Sequence, residues 1–206
     1  MSPIETFISS LQKELVSLET TNLYRGKSKA AQLRRENLSL YLHKMHSLNP
    51  SVLMLGEAPG YKGCGITGIP FTSERIVKEH PFFSDQRFQI LNKTAKPESE
   101  ISATIVWNEL EHHKRIPLIW NIFPFHPHGL KNKRANRTPN KAELEMGKKY
   151  LLQLLELYPI QKIITLGRKP ESKVKELELN HSYVRHPANG GKHKFISGLR
   201  EAMAIG

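Results

Sequence analysis

The apolar run Val52-Leu53-Met54-Leu55 passes without transition into Gly56-Glu57-Ala58-Pro59-Gly60, and a second loop holding Gly63, Gly65 and Gly68 follows before Phe71. A short, wholly apolar segment stopped by glycine is the pattern of a buried strand. Open parallel sheets place their ligands at the loops that leave the carboxyl ends of such strands. Glycine permits φ > 0 and a close approach of backbone to ligand, so an acid inside the turn, Glu57, is held beside whatever binds. Taken alone, the segment is equally an ordinary strand-to-loop connection. Recurrence downstream separates the two readings.

Residues 117–123 form a second apolar run that leads directly into Pro124-Phe125-His126-Pro127-His128-Gly129. Asn121 near its end is costly to bury unless its amide is paired; it either satisfies local backbone or faces a ligand at the sheet edge. Residues 160–166 read as a third strand, stopped by Gly167 and Arg168. Residues 183–185 read as a short fourth strand opening onto His186-Pro187-Ala188-Asn189-Gly190-Gly191. Helical spacing is predicted over residues 3–18, 29–48, 101 to about 113, 142–157, 171–177 and 192–204, with Ser2-Pro3 starting the first helix and Thr138-Pro139 the fourth. The His80-Pro81 step breaks any long helix over 72–91, and 93–100 is a polar stretch. Strands alternating with helices imply an α/β fold, a three-layer α/β/α domain with a central, mainly parallel four-stranded sheet. A chain of 206 residues suits one such domain, 1–206, with residues 1–48 as a helical extension packed on it.

Lys and Arg number 31 against 19 Asp and Glu, a formal net charge of +12. A balance that basic favours a polyanionic partner, because Lys and Arg displace counterions from phosphates. The loop after the second strand, with Lys131, Lys133, Arg134 and Arg137, has little apolar content; its charges are either phosphate contacts or solvated loop charge. Lys27, Lys29, Arg34 and Arg35 fit a solvated helix face. Cys64 is the sole cysteine, which leaves no intrachain disulfide and no cysteine-based zinc or iron–sulfur site. His112 and His113 are helix neighbours pointing about 100° apart, poorly placed to share an ion. No metal or cofactor is expected. No apolar run approaches the roughly 20 residues of a spanning helix. MSPIETFISS lacks the charged start and apolar core of a signal peptide, so the expected setting is the cytoplasm or nucleoid.

Glu57, Asn121 and His186 each follow or end a predicted strand, and in a parallel sheet these ends share one edge. An amide reads a base edge with a donor and an acceptor. Cleavage of an N-glycosidic bond asks for a donor to the departing base anion and a carboxylate near the sugar, which acquires oxocarbenium character. The ordered set is far more specific than any one member.

Those residues resemble the uracil-DNA glycosylase superfamily over about residues 52–199. Gly56-Glu57-Ala58-Pro59-Gly60, with Gly68-Ile69-Pro70-Phe71 after it, is similar to the first motif of the family 4 enzymes of bacteria and archaea. Asn121 matches the asparagine that recognises the uracil edge, and Arg137-Thr138-Pro139 resembles the segment after it. His186-Pro187-Ala188 stands where the family has His-Pro-Ser, whose histidine contacts the uracil carbonyl and whose following loop enters the DNA minor groove. The resemblance implies that Phe71 stacks on the flipped base and that Gly56, Ala58, Pro59 and Gly60 line its pocket. Glu57 would sit beside the glycosidic bond. The phosphate grip falls to Lys131, Lys133, Arg134, Arg137 and the loop Asn189, Gly190 and Gly191. Family 4 enzymes carry four cluster cysteines and this chain has one, so a more distant branch is implied. Ala58 occupies the position of the water-activating aspartate of another branch, and Ala188 replaces the motif serine.

The function expected on this basis is a monomeric, monofunctional DNA glycosylase acting on DNA with a modified base. His126 and His128 either line the pocket mouth or are plain loop histidines. A non-catalytic nucleobase or nucleic-acid-binding protein is the alternative that Ala58 supports. A small-molecule enzyme acting on free nucleosides or nucleotides is a third.

Overall fold

The computed structural model describes residues 1–91 and 96–204, so part of the predicted polar stretch 93–100 lies outside the described residues. The strands are β1 (Thr20–Thr21), β2 (Val52–Gly56), β3 (Leu118–Asn121), β4 (His126–Pro127), β5 (Lys162–Leu166) and β6 (His181–Val184). The helices are α1 (Pro3–Lys13), α2 (Lys29–Leu48), α3 (Cys64–Thr67), α4 (Glu74–Glu79), α5 (Ile101–Leu110), α6 (Lys141–Leu157), α7 (Arg168–Glu176) and α8 (Lys192–Ala204), with a 3-10 turn at Pro81–Phe83. Four strands form one wholly parallel sheet in the order β3-β2-β5-β6. The three-layer α/β/α fold expected from the alternation is the fold observed.

Burial on both faces explains why these strands read as unbroken apolar runs. Leu53, Met54, Leu55, Leu118, Ile119, Trp120 and Ile164 are all fully buried. The register sets the strand ends side by side: Gly56 pairs with Asn121, and Leu166 pairs with Val184. Pairing continues beyond the first of these, as Ile122 N–H donates to Gly56 O at 2.8 Å and Phe123 N–H to Glu57 O at 3.1 Å. The chain leaves β2 for β3 on one side and then crosses to β5 on the other. That reversal opens a crevice at the carboxyl edge.

Several boundaries differ from the predicted ones. Helix α1 stops at Lys13, not near residue 18, because the Asn22 side-chain amide donates to Leu11 O (2.8 Å) and Glu14 O (3.0 Å), capturing the carbonyls the next turn would use. Leu15 and Leu18, which continue the apolar periodicity, are consequently 70% and 86% exposed. Helix α6 starts after Asn140 rather than at Thr138-Pro139. Asn140 Oδ1 accepts from Glu143 N–H at 2.9 Å while the Glu143 carboxylate accepts from Asn140 N–H at 2.8 Å, a closed capping box that satisfies two helix-end donors at once. Arg34 and Arg35 are not a free solvated face: they donate to the carbonyls of Ile66 and Leu23, and of Tyr24 and Gly26, tying α2 to neighbouring loops. His113 lies 3.2 Å from Glu109, which also receives a two-pronged contact from Arg200 and so joins α5 to α8. No helix among the described residues is long and apolar enough to cross a membrane.

Gly147 of α6 rests on the backbone just beyond β3, where an added Cβ would lie 1.8 Å from Ile122 O. Alanine there gains about 1 kcal/mol of helix propensity. Overpacking against backbone, which cannot swing aside as a side chain can, costs up to about 3 kcal/mol. Gly147→Ala is expected to lose about 2 kcal/mol net, read as a lower midpoint in urea denaturation; an unchanged midpoint would mean that α6 lifts off the sheet without penalty.

Candidate active site

A cavity of about 440 Å³ opens at the carboxyl edge of the sheet and collects the loops that follow β2, β3, β5 and β6. Its floor is built from β2 and β3. Asn121, the last residue of β3, is 2% exposed, and its Oδ1 has no hydrogen-bond partner among the described residues. A buried amide oxygen left unpaired costs about 1–3 kcal/mol, so the fold carries a group that is satisfied only by something entering the cavity. Gly56 lies opposite it in the register. A Cβ on Gly56 would fall 2.2 Å from Phe71 Cε2 and 2.7 Å from Asn121 Oδ1, so only glycine lets the ring and the amide meet.

Phe71 forms the next wall and adopts φ 51°, a left-handed backbone that is strained for an aromatic residue. Trp107 of α5 holds it there, donating Nε1–H to Phe71 O at 3.1 Å and to Thr72 Oγ1 at 3.2 Å. Strain fixed by buried partners is characteristic of ligand-gripping positions. The Phe71 ring lies 5.7 Å, centroid to centroid, from the His186 imidazole.

His186 follows β6, and its orientation is set locally. Ala188 N–H donates to His186 Nδ1 at 3.1 Å, so Nδ1 is the acceptor and the proton of the neutral ring resides on Nε2. Burial, helped by the adjacent Arg185 cation, pushes the ring down to about 4. At neutral pH it is therefore an uncharged N–H donor lining the cavity. The turn behind it is glycine-dependent: a Cβ on Gly191 would lie 2.0 Å from His186 O.

Two carboxyls line the same space. Burial raises that of Glu57, with a Thr138 hydrogen bond and the Lys169 charge pulling the other way. Glu100, at the start of α5, is pushed up to about 7 by burial. Arg168 and Arg185, placed within two residues of the ends of β5 and β6, bring positive charge to the cavity. Arg168 lies over the Tyr183 ring at 4.2 Å, and Arg134 lies over the Tyr61 ring at 5.7 Å.

Of the residues singled out from sequence, Glu57, Ala58, Pro59, Gly60, Phe71, Asn121 and His186 all line the cavity, while Gly56 supports it from behind. Asn189 lines it too, and Gly190 is exposed next to it with φ 73°. Lys131, Lys133 and Arg134 are exposed on the loop beyond β4 and outside the cavity lining. His126 and His128 are not at the mouth. They are 2% and 0% exposed; His126 faces Pro59 O and Lys133 O at 2.8 and 3.0 Å, and His128 faces Thr21 Oγ1 at 2.9 Å. Both brace loops from within.

Arg137 was expected to hold phosphate, but its donors are committed inside the chain. Nε–H donates to His128 O, the two terminal nitrogens donate to Thr138 O and Glu19 O, and the fork takes both Glu143 oxygens at 2.7 and 2.8 Å. All five N–H groups are thereby used. Burial pushes the Glu143 carboxyl up, yet Arg137, Thr20 and the Asn140 N–H outweigh it and leave it below its ordinary value. A depressed carboxylate contributes stability above its unfolded pKa and loses it as pH falls through the folded one. Arg137→Ala strands Glu143 at 7% side-chain exposure and is expected to cost about 3 kcal/mol. A denaturation midpoint equal to that of wild type would show that the guanidinium is not committed to Glu143.

Glu100, Ser102, Asn136, Arg168 and Arg185 line the cavity without having been predicted as site residues. Arg168 and Arg185 carried a usable signal, since each lies within two residues of a strand end. Glu100 carried none: it reaches the site from α5, 40 positions after Gly60 in the chain numbering.

The family model of the uracil DNA glycosylase superfamily matches residues 43–199. Among solved structures, wild-type Pedobacter heparinus SMUG2 is similar over 100% of this chain and 98% of its own, with a TM-score of 0.70 at 18% identity. Wild-type UNG from Nitratifractor salsuginis aligns over 100% of this chain and 89% of its own, with a TM-score of 0.44 at 12% identity. No curated protein matches the chain. The family match spans most of the sequence and takes in every strand of the parallel sheet and the Gly56–Gly60, Asn121 and His186 segments that build the cavity; the chain belongs to the uracil DNA glycosylase superfamily.

Proposed function

We propose that the protein is a monofunctional DNA glycosylase that takes a uracil or related deaminated base out of the helix and hydrolyses its N-glycosidic bond. The observation that carries this reading is the convergence of an unpaired amide at Asn121, a strained aromatic wall at Phe71 and an uncharged N–H donor at His186 on one cavity. Members of this superfamily are DNA glycosylases acting on DNA, which supports the same conclusion.

The extrahelical base lies against Phe71, with its polar edge on the Asn121 amide. Unstacking costs a few kcal/mol and least for a mispaired base, which supplies part of the selectivity. As the C1′–N bond breaks, the electron pair leaves with the base. The His186 Nε2–H group donates to the developing anion, where a preorganised donor in a water-poor site stabilises charge without reorganisation. The carboxylate of Glu57 stabilises the oxocarbenium sugar and accepts the proton of the water that adds to C1′. With alanine at position 58, Glu57 is the sole acid of that turn.

Base release from oligonucleotides carrying uracil, hypoxanthine or xanthine, single- and double-stranded, tests the proposal. Release of at least one base is expected, with affinity for the oligonucleotide falling steeply as salt rises. Tight binding with no release from any substrate would replace it with the non-catalytic reading that Ala58 favours.

A further inference from the structure

Glu100 has no structural employment that the fold can account for. It stands at the N-cap of α5, and its backbone oxygen accepts from Thr104 N–H at 3.0 Å, yet its side chain makes no cap hydrogen bond. The carboxyl instead turns into the loop after β2. A Cβ on Gly63 would lie 2.1 Å from Glu100 Oε2, and one on Gly60 2.3 Å from Oε1, so two glycines of that loop leave the room it occupies. No hydrogen bond or ion pair engages the carboxyl among the described residues; nearby Lys62 pairs with Glu98 at 3.9 Å. The titratable groups around it are Cys64 of α3, with Tyr24 and Arg34 beside that thiol, and across the cavity Glu57, His186, Arg137, Arg168 and Arg185. Of the three arginines, Arg137 is spent on Glu143, and Arg168 is paired with Glu171 at 2.9 Å.

A half-buried carboxyl without a cation or a donor resists ionisation. Its neutral form has one O–H to donate. The cavity therefore presents two polar groups to a ligand, the unpaired Asn121 amide oxygen and the Glu100 carboxyl.

We propose that Glu100 is a specificity-determining contact, whose carboxylic acid donates to a keto oxygen of the extrahelical base and so favours deaminated bases over those carrying an amino group. Resting on the nucleobase-pocket reading above, it adds a second recognition group, supplied by α5. Burial supports it by pushing the carboxyl up to about 7, so the donating form prevails on the acid side of neutrality. Ionisation converts the donor into an acceptor that repels a keto oxygen, whereas an amino group would then be accepted.

The test measures the binding of free uracil to the full chain by calorimetry at about pH 5.5 and about pH 8.5, values that bracket the titration. The wild type is expected to bind at the lower pH and to lose about tenfold at the higher one. Glu100→Gln, whose amide keeps a donor at every pH, should bind comparably at both. Glu100→Ala should bind weakly at both. Ionisation of uracil itself is common to all three proteins. Thermal melts of both variants confirm that they fold; Glu100→Leu replaces the alanine variant if that does not, and if the glutamine variant does not, the same pH dependence in wild type and the apolar variant overturns the proposal. The same pH dependence in wild type and Glu100→Gln overturns the proposal, as does the absence of uracil binding to wild type at the lower pH. Failure of the glycosylase reading shows separately, as missing base release from oligonucleotides while the pH-dependent uracil binding persists.

Discussion

Replacing Asn121 by alanine is expected to slow base release from the preferred oligonucleotide by about 10²–10³-fold, an increase in barrier of about 3–4 kcal/mol of the size lost when one preorganised polar contact is removed. Stability should change little, and the reason is specific to this site. The side-chain oxygen is buried without a partner in the unliganded protein, so alanine removes an unpaired polar group worth about 1–3 kcal/mol of desolvation while forfeiting some packing. The two effects oppose each other, and a melting temperature equal to or slightly above that of wild type is the expected result. Single-turnover release and a thermal melt on the same preparation decide it. Activity within a factor of about three of wild type would show that the base edge is read elsewhere.

His186→Ala is expected to lose a comparable factor, about 10²–10³ in the rate of bond cleavage, because it deletes the N–H aimed at the developing anion. The pH dependence carries additional information. With its ring held down to about 4 by burial and Arg185, His186 stays neutral from there upward, so the rate of Glu100→Gln, which lacks the Glu100 titration, should show no inflection at the ordinary histidine pKa. Stability has the opposite sensitivity. Between the ordinary value near 6.5 in the unfolded chain and about 4 in the folded one, the unfolded state binds more protons, and acidification through that window favours unfolding. The alanine variant lacks that term, and its melting temperature should fall less on going from neutral to mildly acidic buffer. An inflection near pH 6.5 in the Glu100→Gln rate would indicate a His186 ring that titrates normally.

The parts of the fold that were legible in the sequence are those set by burial on both faces or by short-range geometry. Strand β2 announces itself because Leu53, Met54 and Leu55 are all fully buried, leaving no polar alternation to blur the run. Asn121 and His186 were legible because a polar residue at the end of an apolar strand is costly unless it has a task. Helix ends were less legible. The periodicity of residues 3–18 runs on through Leu15 and Leu18, but an amide 11 residues beyond Leu11, on Asn22, ends the helix by hydrogen bonding. Thr138-Pro139 and Asn140 with Glu143 are both valid start signals; the second prevails because its box closes and Glu143 gains Arg137 as a partner. The two-residue pair β1–β4 carries no apolar pattern and exists because tertiary packing brings Thr20 opposite Pro127.

Sequence alone determined that the chain builds a parallel α/β sheet whose carboxyl edge carries an acid after β2, an amide at the end of β3 and an imidazole after β6, because strand burial and turn chemistry are local in their demands. Only the tertiary structure decided which side chains are free to act. It committed Arg137 to Glu143, settled His126 and His128 as buried loop braces rather than residues of the pocket mouth, and delivered Glu100 from α5 into the space that Gly60 and Gly63 leave open. Whether a charged side chain serves the fold or the site depends on which partners lie within hydrogen-bond reach, and spacing along a chain does not encode that distance.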